Sequence, residues 1–184
     1  MTMQMQVSLR QQLMERVRYF NKRYLNPFTL SFAGRPHSPY AIVQHVGRKS
    51  GRVYATPVLA MAVEDHFVIP LPYGKHVDWC RNVLAAESCT IGFQGHAYRV
   101  GESELVGPSE GLPAFPQWTQ SMLVRAETAQ FLRLKRLSAS PEDDAEYRRL
   151  IAAYPIDRAV WTLVAGLLGV FILLRLFKAL RSRK

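Results

Sequence analysis

The sequence predicts a small, mainly β domain: six antiparallel strands wound into a barrel, helices at its edges, and a hydrophobic helix added at the C-terminal end. Three observations lead there. From Tyr40 to Leu137, short runs rich in β-branched and aromatic residues alternate with turn-forming clusters. Most connections between those runs are too short for the crossover helix that parallel neighbours require, so the strands pair antiparallel rather than forming a doubly wound sheet. The chain has 184 residues and is 48% hydrophobic, which suits one core plus appendages.

The elements follow in order. Leu9, Leu13, Val17, Phe20 and Tyr24 recur at helical spacing, with Ser8 as N-cap, and Arg10, Arg16, Lys22 and Arg23 lie opposite. This basic amphipathic helix, Leu9 to Leu25, is expected to end at Asn26-Pro27, because the residue before a proline is pushed out of helical geometry. Residues 1–35 are thus a helix and linker, and Pro36 to Pro39 is loop. Tyr40–Val46 is the first strand and Gly47–Gly51 a turn. Val53–Val63 reads as one long second strand, Glu64-Asp65 as the next turn and His66–Leu71 as the third strand. Pro72 to Lys75 is a loop, and Val77–Ala86 is a short helix with Asp78 near its start. Cys89–Phe93 and Ala97–Val106 are strands across the turn Gln94-Gly95-His96. Phe115–Ala126 is a helix. Gln130–Leu137 alternates apolar and basic residues, as a half-exposed closing strand does. This places the barrel at residues 36–138.

Residues 139–184 form a C-terminal extension: a polar linker, a helix over Glu142–Ala153 broken at Pro155, and an apolar tail. Ala159 to Leu174 carries no charge. As a helix it measures about 24 Å, short of the roughly 30 Å hydrocarbon core. Leu176 and Phe177, with Arg158 and Arg175 reaching outward, bring it close to a span, and Lys178, Arg181, Arg183 and Lys184 supply a basic flank. The expectation is a membrane-associated protein anchored by a helix at about residues 157–178, spanning the bilayer or lying in its interface, with its barrel in the cytoplasm; a buried core helix, or a helix followed by a strand at Val170–Leu174, is the alternative. Met1 to Leu9 is polar and glutamine-rich, unlike a signal peptide.

Lys and Arg total 24 against 14 Asp and Glu, a net charge of +10 that calls for an anionic partner: nucleic acid, an anionic lipid face, or a phosphorylated or polyacidic ligand. The basic residues cluster in one turn and at the chain ends rather than between stacking aromatics, so nucleic acid is not expected. The two cysteines, Cys80 and Cys89, lack metal-ligand spacing and are read as reduced thiols. The five histidines are scattered and no metal site is expected; His45, inside a strand pattern, reads as a satisfied interior residue.

Two constellations can carry chemistry. Gly47-Arg48-Lys49-Ser50-Gly51-Arg52 places two glycines, three cations and a hydroxyl in one turn. Glycine allows positive φ and close approach, turn amides can form an anion nest, arginine offers phosphate a fork and lysine a mobile charge. It is not a P-loop, because the glycine-lysine order is wrong and no helix follows. The same composition also suits a solvated hairpin tip. The second constellation is Pro72-Tyr73-Gly74-Lys75 with Asp78-Trp79-Cys80-Arg81-Asn82. Tyr73 and Trp79 offer faces for a planar ring, Gly74 permits close approach, and Lys75 and Asn82 can meet carbonyls or phosphate. On its own this segment also reads as a loop and helix packed on the barrel.

Taken together, HVGRKSGRVYATPV, LPYGKHVDWCRNVLAAESCTI and FLRLKRL resemble the deazaflavin-dependent nitroreductase family of split β-barrel proteins, over about Tyr40 to Leu137. The resemblance implies the deazaflavin coenzyme F-420 (8-hydroxy-5-deazaflavin), with its phosphodiester and polyglutamate tail. It implies that Arg48, Lys49, Ser50, Gly51 and Arg52 hold that tail and that Thr56 and Pro57 lie beside the ring system. Tyr73, Gly74 and Lys75 would contact the deazaflavin, supported by Trp79 and Asn82. The chemistry would then be the cofactor's: hydride transfer to an electron-poor acceptor such as a quinone or nitroaromatic, with no protein nucleophile and Tyr73 as the substrate-side hydrogen-bond donor. Membrane attachment would favour a lipophilic quinone, and a homodimer is compatible with this reading. The alternatives are an FMN- or haem-binding split barrel and a non-enzymatic basic module docking on lipid.

Overall fold

In the computed structural model of the chain, the residues described are 26–138 and 142–155. They form a curled antiparallel sheet with short helices around it, so the chain is mainly β with flanking helices. The strands are β1 (Tyr40–Val46), β2 (Val53–Leu59), β3 (Met61–Val63), β4 (His66–Pro70), β5 (Ser88–Phe93), β6 (His96–Val106) and β7 (Phe131–Ser138). The helices are α1 (Asn26–Leu30), α2 (Asp78–Ala86), α3 (Pro108–Gly111), α4 (Gln117–Arg125) and α5 (Glu142–Ala152), with a 3-10 turn at Leu112–Ala114.

The sheet runs β2-β1-β5-β6-β7-β4-β3, seven strands where six were expected. The difference lies at Ala60. The long second strand breaks there: Val53–Leu59 pairs with β1 at one edge, and Met61–Val63 pairs with β4 at the other. Only Ala60 separates the two edges, and two peptide steps span at most about 7.6 Å. The sheet must therefore curl until its edges meet at this corner, which makes a half-barrel rather than a flat sheet. Ala60 is fully buried there, and its amide donates to the Pro39 carbonyl at 3.3 Å.

Alternation along the strands sorts side chains to the two faces. Ala41, Val43, Val58, Phe67, Ile69, Ile91, Val100, Leu132 and Leu134 fill the inside of the curl, closed by Cys80 and Val83 of α2. Phe131, next to Leu132, points the other way, into a second cluster with Val68, Val106, Phe115 and Leu123 under α3 and α4. Ile42 of β1 likewise faces outward and meets Leu150 of α5, with Leu30 and Ala33. The closing strand is therefore apolar on both faces where it starts; Arg133 and Lys135 pair with Glu104 and Glu102 of β6 further along.

Asn26–Leu30 is a short helix with Pro27 in its first turn, where the missing N–H is no loss. One expectation is corrected. The expected membrane association is not upheld: among the described residues no helix is long and apolar enough to cross a membrane. Residues 157–178, on which that expectation rested, lie outside the described residues, as does the expected helix over Leu9 to Leu25.

Candidate functional site: a basic hairpin turn docked on α2

The turn joining β1 and β2 is held by its own backbone. The Gly47 amide donates to the Arg52 carbonyl at 2.8 Å, and the amides of Ser50 and Gly51 both donate to the Gly47 carbonyl, at 3.2 and 2.8 Å. Gly51 has φ +66°, the left-handed region, with open space around it. Gly47 is needed for room: a Cβ there would lie 2.5 Å from Ser50 Oγ and 2.7 Å from Tyr54 Cε2. Ser50 Oγ also lies 3.1 Å from the Tyr54 hydroxyl and accepts the Arg52 amide at 3.4 Å.

The turn is docked on α2 through Arg48. Its amide and its Nη1 both donate to Asn82 Oδ1, at 3.2 and 2.8 Å. Its Nη2 meets Asp78 Oδ1 at 3.1 Å, and Nη1 reaches the Asp78 carbonyl at 3.4 Å. Asn82 is buried, and its Nδ2 donates to His45 Nδ1 at 3.1 Å. His45 is buried too; its Nε2 lies 3.2 Å from Thr56 Oγ1, and its ring stacks on Tyr54 at 5.9 Å between centroids. Burial pushes the His45 pKa down, against the opposing pull of the Asp78 carboxylate.

These contacts bring the two constellations together, since Arg48 belongs to one and Asp78 and Asn82 to the other. They also change what the turn can do. The amides of Gly47, Arg48, Ser50, Gly51 and Arg52 all donate within the protein, so the expected backbone nest is already occupied. What remains for an anion is side-chain charge. Lys49 and Arg52 are exposed, as is Lys75 in the loop before α2, and among the described residues none of the three has an ion-pair partner.

The other predicted residues fall around this pair. Gly74 has φ +73° with open space about it, and its amide closes the loop onto the Leu71 carbonyl at 2.8 Å. Tyr73 is half-buried in that loop, and Trp79 of α2 is half-buried against the main core, so its ring is spent largely on packing. Thr56 pairs across from Val43 on the inner face, and its hydroxyl faces His45. Pro57 pairs with Ile42 and faces the opposite side, so one planar ring cannot lie against both side chains. Cavities of about 260 Å³ and 650 Å³ lie over β1 beside α5, and none of the predicted cofactor-binding residues lines either.

Two residues at the site escaped sequence reasoning as participants, His45 and Tyr54, and Asp78 was named in its constellation without a role. His45 was legible only as a satisfied strand residue, which it is. Its spacing from Asn82 carries no local signal, because the pair meets through the tertiary packing of α2 on β1.

No family model matches the chain, and no curated protein matches it. Solved structures similar to it include a 5-nitroimidazole antibiotic resistance protein, so named provisionally, from Bacteroides thetaiotaomicron, at 10% identity over 55% of this chain and 75% of that one, with a TM-score of 0.42. An F-420-H2-dependent reductase, FDR-A, is similar at 14% identity over 53% of this chain and 94% of that one, TM-score 0.42. A protein described as a domain-swapped dimer is similar at 15% identity over 66% of this chain and 98% of that one, TM-score 0.44.

Proposed function

We propose that the protein is a deazaflavin coenzyme F-420-dependent oxidoreductase acting on a quinone or nitroaromatic acceptor. One observation carries the reading: Lys49 and Arg52 project unpaired from a turn that Arg48 anchors to α2, with Lys75 on the neighbouring loop. A polyanionic tail needs several uncompensated cations at fixed spacing, and a rigid turn supplies them at low entropic cost. The ring end of the cofactor would lie toward Tyr73 and Gly74, where the glycine leaves the backbone open. Of the predicted residues, Lys49, Arg52 and Lys75 contact the ligand; Arg48 and Asn82 hold the turn; Ser50 can turn its hydroxyl proton from Tyr54 to a phosphate.

When bound, the reduced deazaflavin supplies the hydride. The chain's own part is to bind, orient and exclude water. In this reading Tyr73 is the substrate-side hydrogen-bond donor. Haem is a poorer fit through His45, because both of its ring nitrogens are engaged inside the protein. A homodimer belongs to the same proposal, and sedimentation velocity at micromolar concentration tests it.

The test is a fluorescence titration of F-420, with FMN as competitor, on wild type and on Lys49→Ala combined with Arg52→Ala. Removing two charge-assisted contacts is expected to weaken F-420 by at least about 100-fold. An unchanged affinity, or stronger binding of FMN, would reject the assignment. Oxidation of F-420-H2 with menadione or a nitroimidazole then separates the two acceptor classes.

A further inference from the structure

The bridge from the turn to β1 runs through one side-chain amide, and its chemistry is directional. Asn82 Oδ1 accepts twice from Arg48, once from the backbone and once from the guanidinium. An arginine amide and guanidinium can only donate, so the oxygen must face them and Nδ2 must face His45. Nδ2 can only donate in turn, so His45 Nδ1 must accept, and its Nε2 carries the hydrogen toward Thr56. A single neutral tautomer of His45 is therefore compatible with Arg48 in its observed place.

We infer that Asn82 and His45 are positioning residues for the basic turn, working in one protonation state only: neutral His45 holds the Asn82 amide with its oxygen on Arg48, and a protonated His45 releases that hold. With both ring nitrogens protonated, His45 would set N–H against N–H. Asn82 relieves this by rotating its amide, which turns Nδ2 on the two Arg48 donors and leaves Asp78 as the turn's remaining hold on α2. The device rests on the proposed cofactor reading only for its consequence, which is a cradle that loosens in acid; the positioning itself stands on the hydrogen bonds.

The groups around His45 set the range. On α2, the Asp78 carboxylate favours the protonated ring; on the turn, the Arg48 guanidinium is the charged group on the far side of Asn82; Tyr54 of β2 stacks on the ring. Cys89 of β5, Arg99 of β6 and Glu146 of α5 border the cavity that His45 also borders, and burial holds the Cys89 thiol neutral. Desolvation outweighs Asp78, so the ring titrates below its ordinary 6.5.

Isotope-labelled full-length protein tests this by NMR from pH 8 downward. At pH 8 the His45 ring is expected to show an unprotonated Nδ1 and a protonated Nε2. As it titrates, the Arg48 amide signal should move with the same midpoint. The Nδ1-protonated tautomer at pH 8, or an Arg48 amide indifferent to the His45 titration, overturns the inference. Asn82→Asp provides the discriminating variant, since a carboxylate accepts from Arg48 on one side and from protonated His45 on the other. Its His45 should titrate above the wild-type midpoint, and its Arg48 amide should stay in place through the acid range. Persistence of the acid shift in Asn82→Asp would also overturn the inference. F-420 affinity should fall roughly tenfold across the wild-type His45 titration, the scale of one lost hydrogen bond to a charged group, and stay flat in Asn82→Asp. If F-420 binds at no pH, the cofactor assignment fails, and the ring tautomer with the Arg48 amide still decides the positioning pair.

Discussion

The two glycines of the turn make a controlled experiment. At Gly47 a Cβ would sit 2.5 Å from Ser50 Oγ and 2.7 Å from the Tyr54 ring, while at Gly51 it would meet nothing within 4 Å. Carbon contacts relax at about 3.5–4.0 Å, so the Tyr54 ring must retreat by about 1 Å from any side chain at position 47. Tyr54 is 45% exposed and can swing outward, which keeps the cost near the low end of overpacking, about 1 kcal/mol. Swinging outward breaks its stack on His45 and its contact with Ser50. At Gly51 the penalty is conformational instead: φ +66° costs an ordinary residue about 1–2 kcal/mol, and asparagine less. The substitutions Gly47→Asn and Gly51→Asn therefore separate the two mechanisms. Gly51→Asn should leave the melting temperature within about 2 °C and F-420 affinity unchanged. Gly47→Asn should melt about 2–4 °C lower, the shift expected per kcal/mol at this size, and bind F-420 more weakly. Differential scanning fluorimetry with the F-420 titration reads both. If Gly47→Asn is no worse than Gly51→Asn, the steric reading of the turn is wrong.

Other outcomes follow from the same structure. Gly111→Ala places a Cβ into the fully buried Phe131 ring; with no room for the ring to move, it should cost about 3 kcal/mol and lower the melting temperature by roughly 6–12 °C, measured by calorimetry. Leu150→Ala removes the α5 side chain that lies over Gly92, Ile42 and Leu30, and chemical denaturation should show a loss of about 2–5 kcal/mol; no loss would mean that α5 does not dock on the sheet. Burial raises Cys80 to about 11 and Cys89 to about 12, so neither thiol should react with a disulfide reagent at pH 8 until the protein is unfolded. Since the folded-state pKa of His45 lies below its unfolded value, the unfolded chain binds the extra proton first; stability is full above pH 6.5 and should decline as pH falls toward the folded pKa, by a slope that His45→Gln reduces.

Much of the fold was written in local pattern. Tyr40–Val46, His66–Leu71 and Gln130–Leu137 are apolar runs between strong turn signals, and each is a strand within a residue or so at either end. The break at Ala60 had no such mark. Val53 to Val63 is continuously strand-like, and only the choice of which edge each half joins, a matter of sheet closure, divides it. Pro57 offered a partial hint: a residue without an N–H belongs on an edge strand, and β2 is one. The short helix Asn26–Leu30 went unread because proline both stops a preceding helix and starts a following one, and only its stopping role was used.

The site was legible as composition and not as division of labour. Six residues from Gly47 to Arg52 look equivalent as an anion cradle, yet the fold assigns them opposite tasks. Arg48 carries the geometry best suited to a phosphate, a planar fork, and spends it on Asn82 and Asp78. The amides of Gly47, Ser50 and Gly51 are spent on the turn's own carbonyls, and that of Arg48 on Asn82. A turn that kept those donors for a ligand would have to be held in shape by something else, and the segment offers nothing else. Internal bonding is thus the condition for presenting Lys49 and Arg52 at a fixed spacing, and the histidine at the end of β1 becomes relevant because it decides which way the shared amide of Asn82 points.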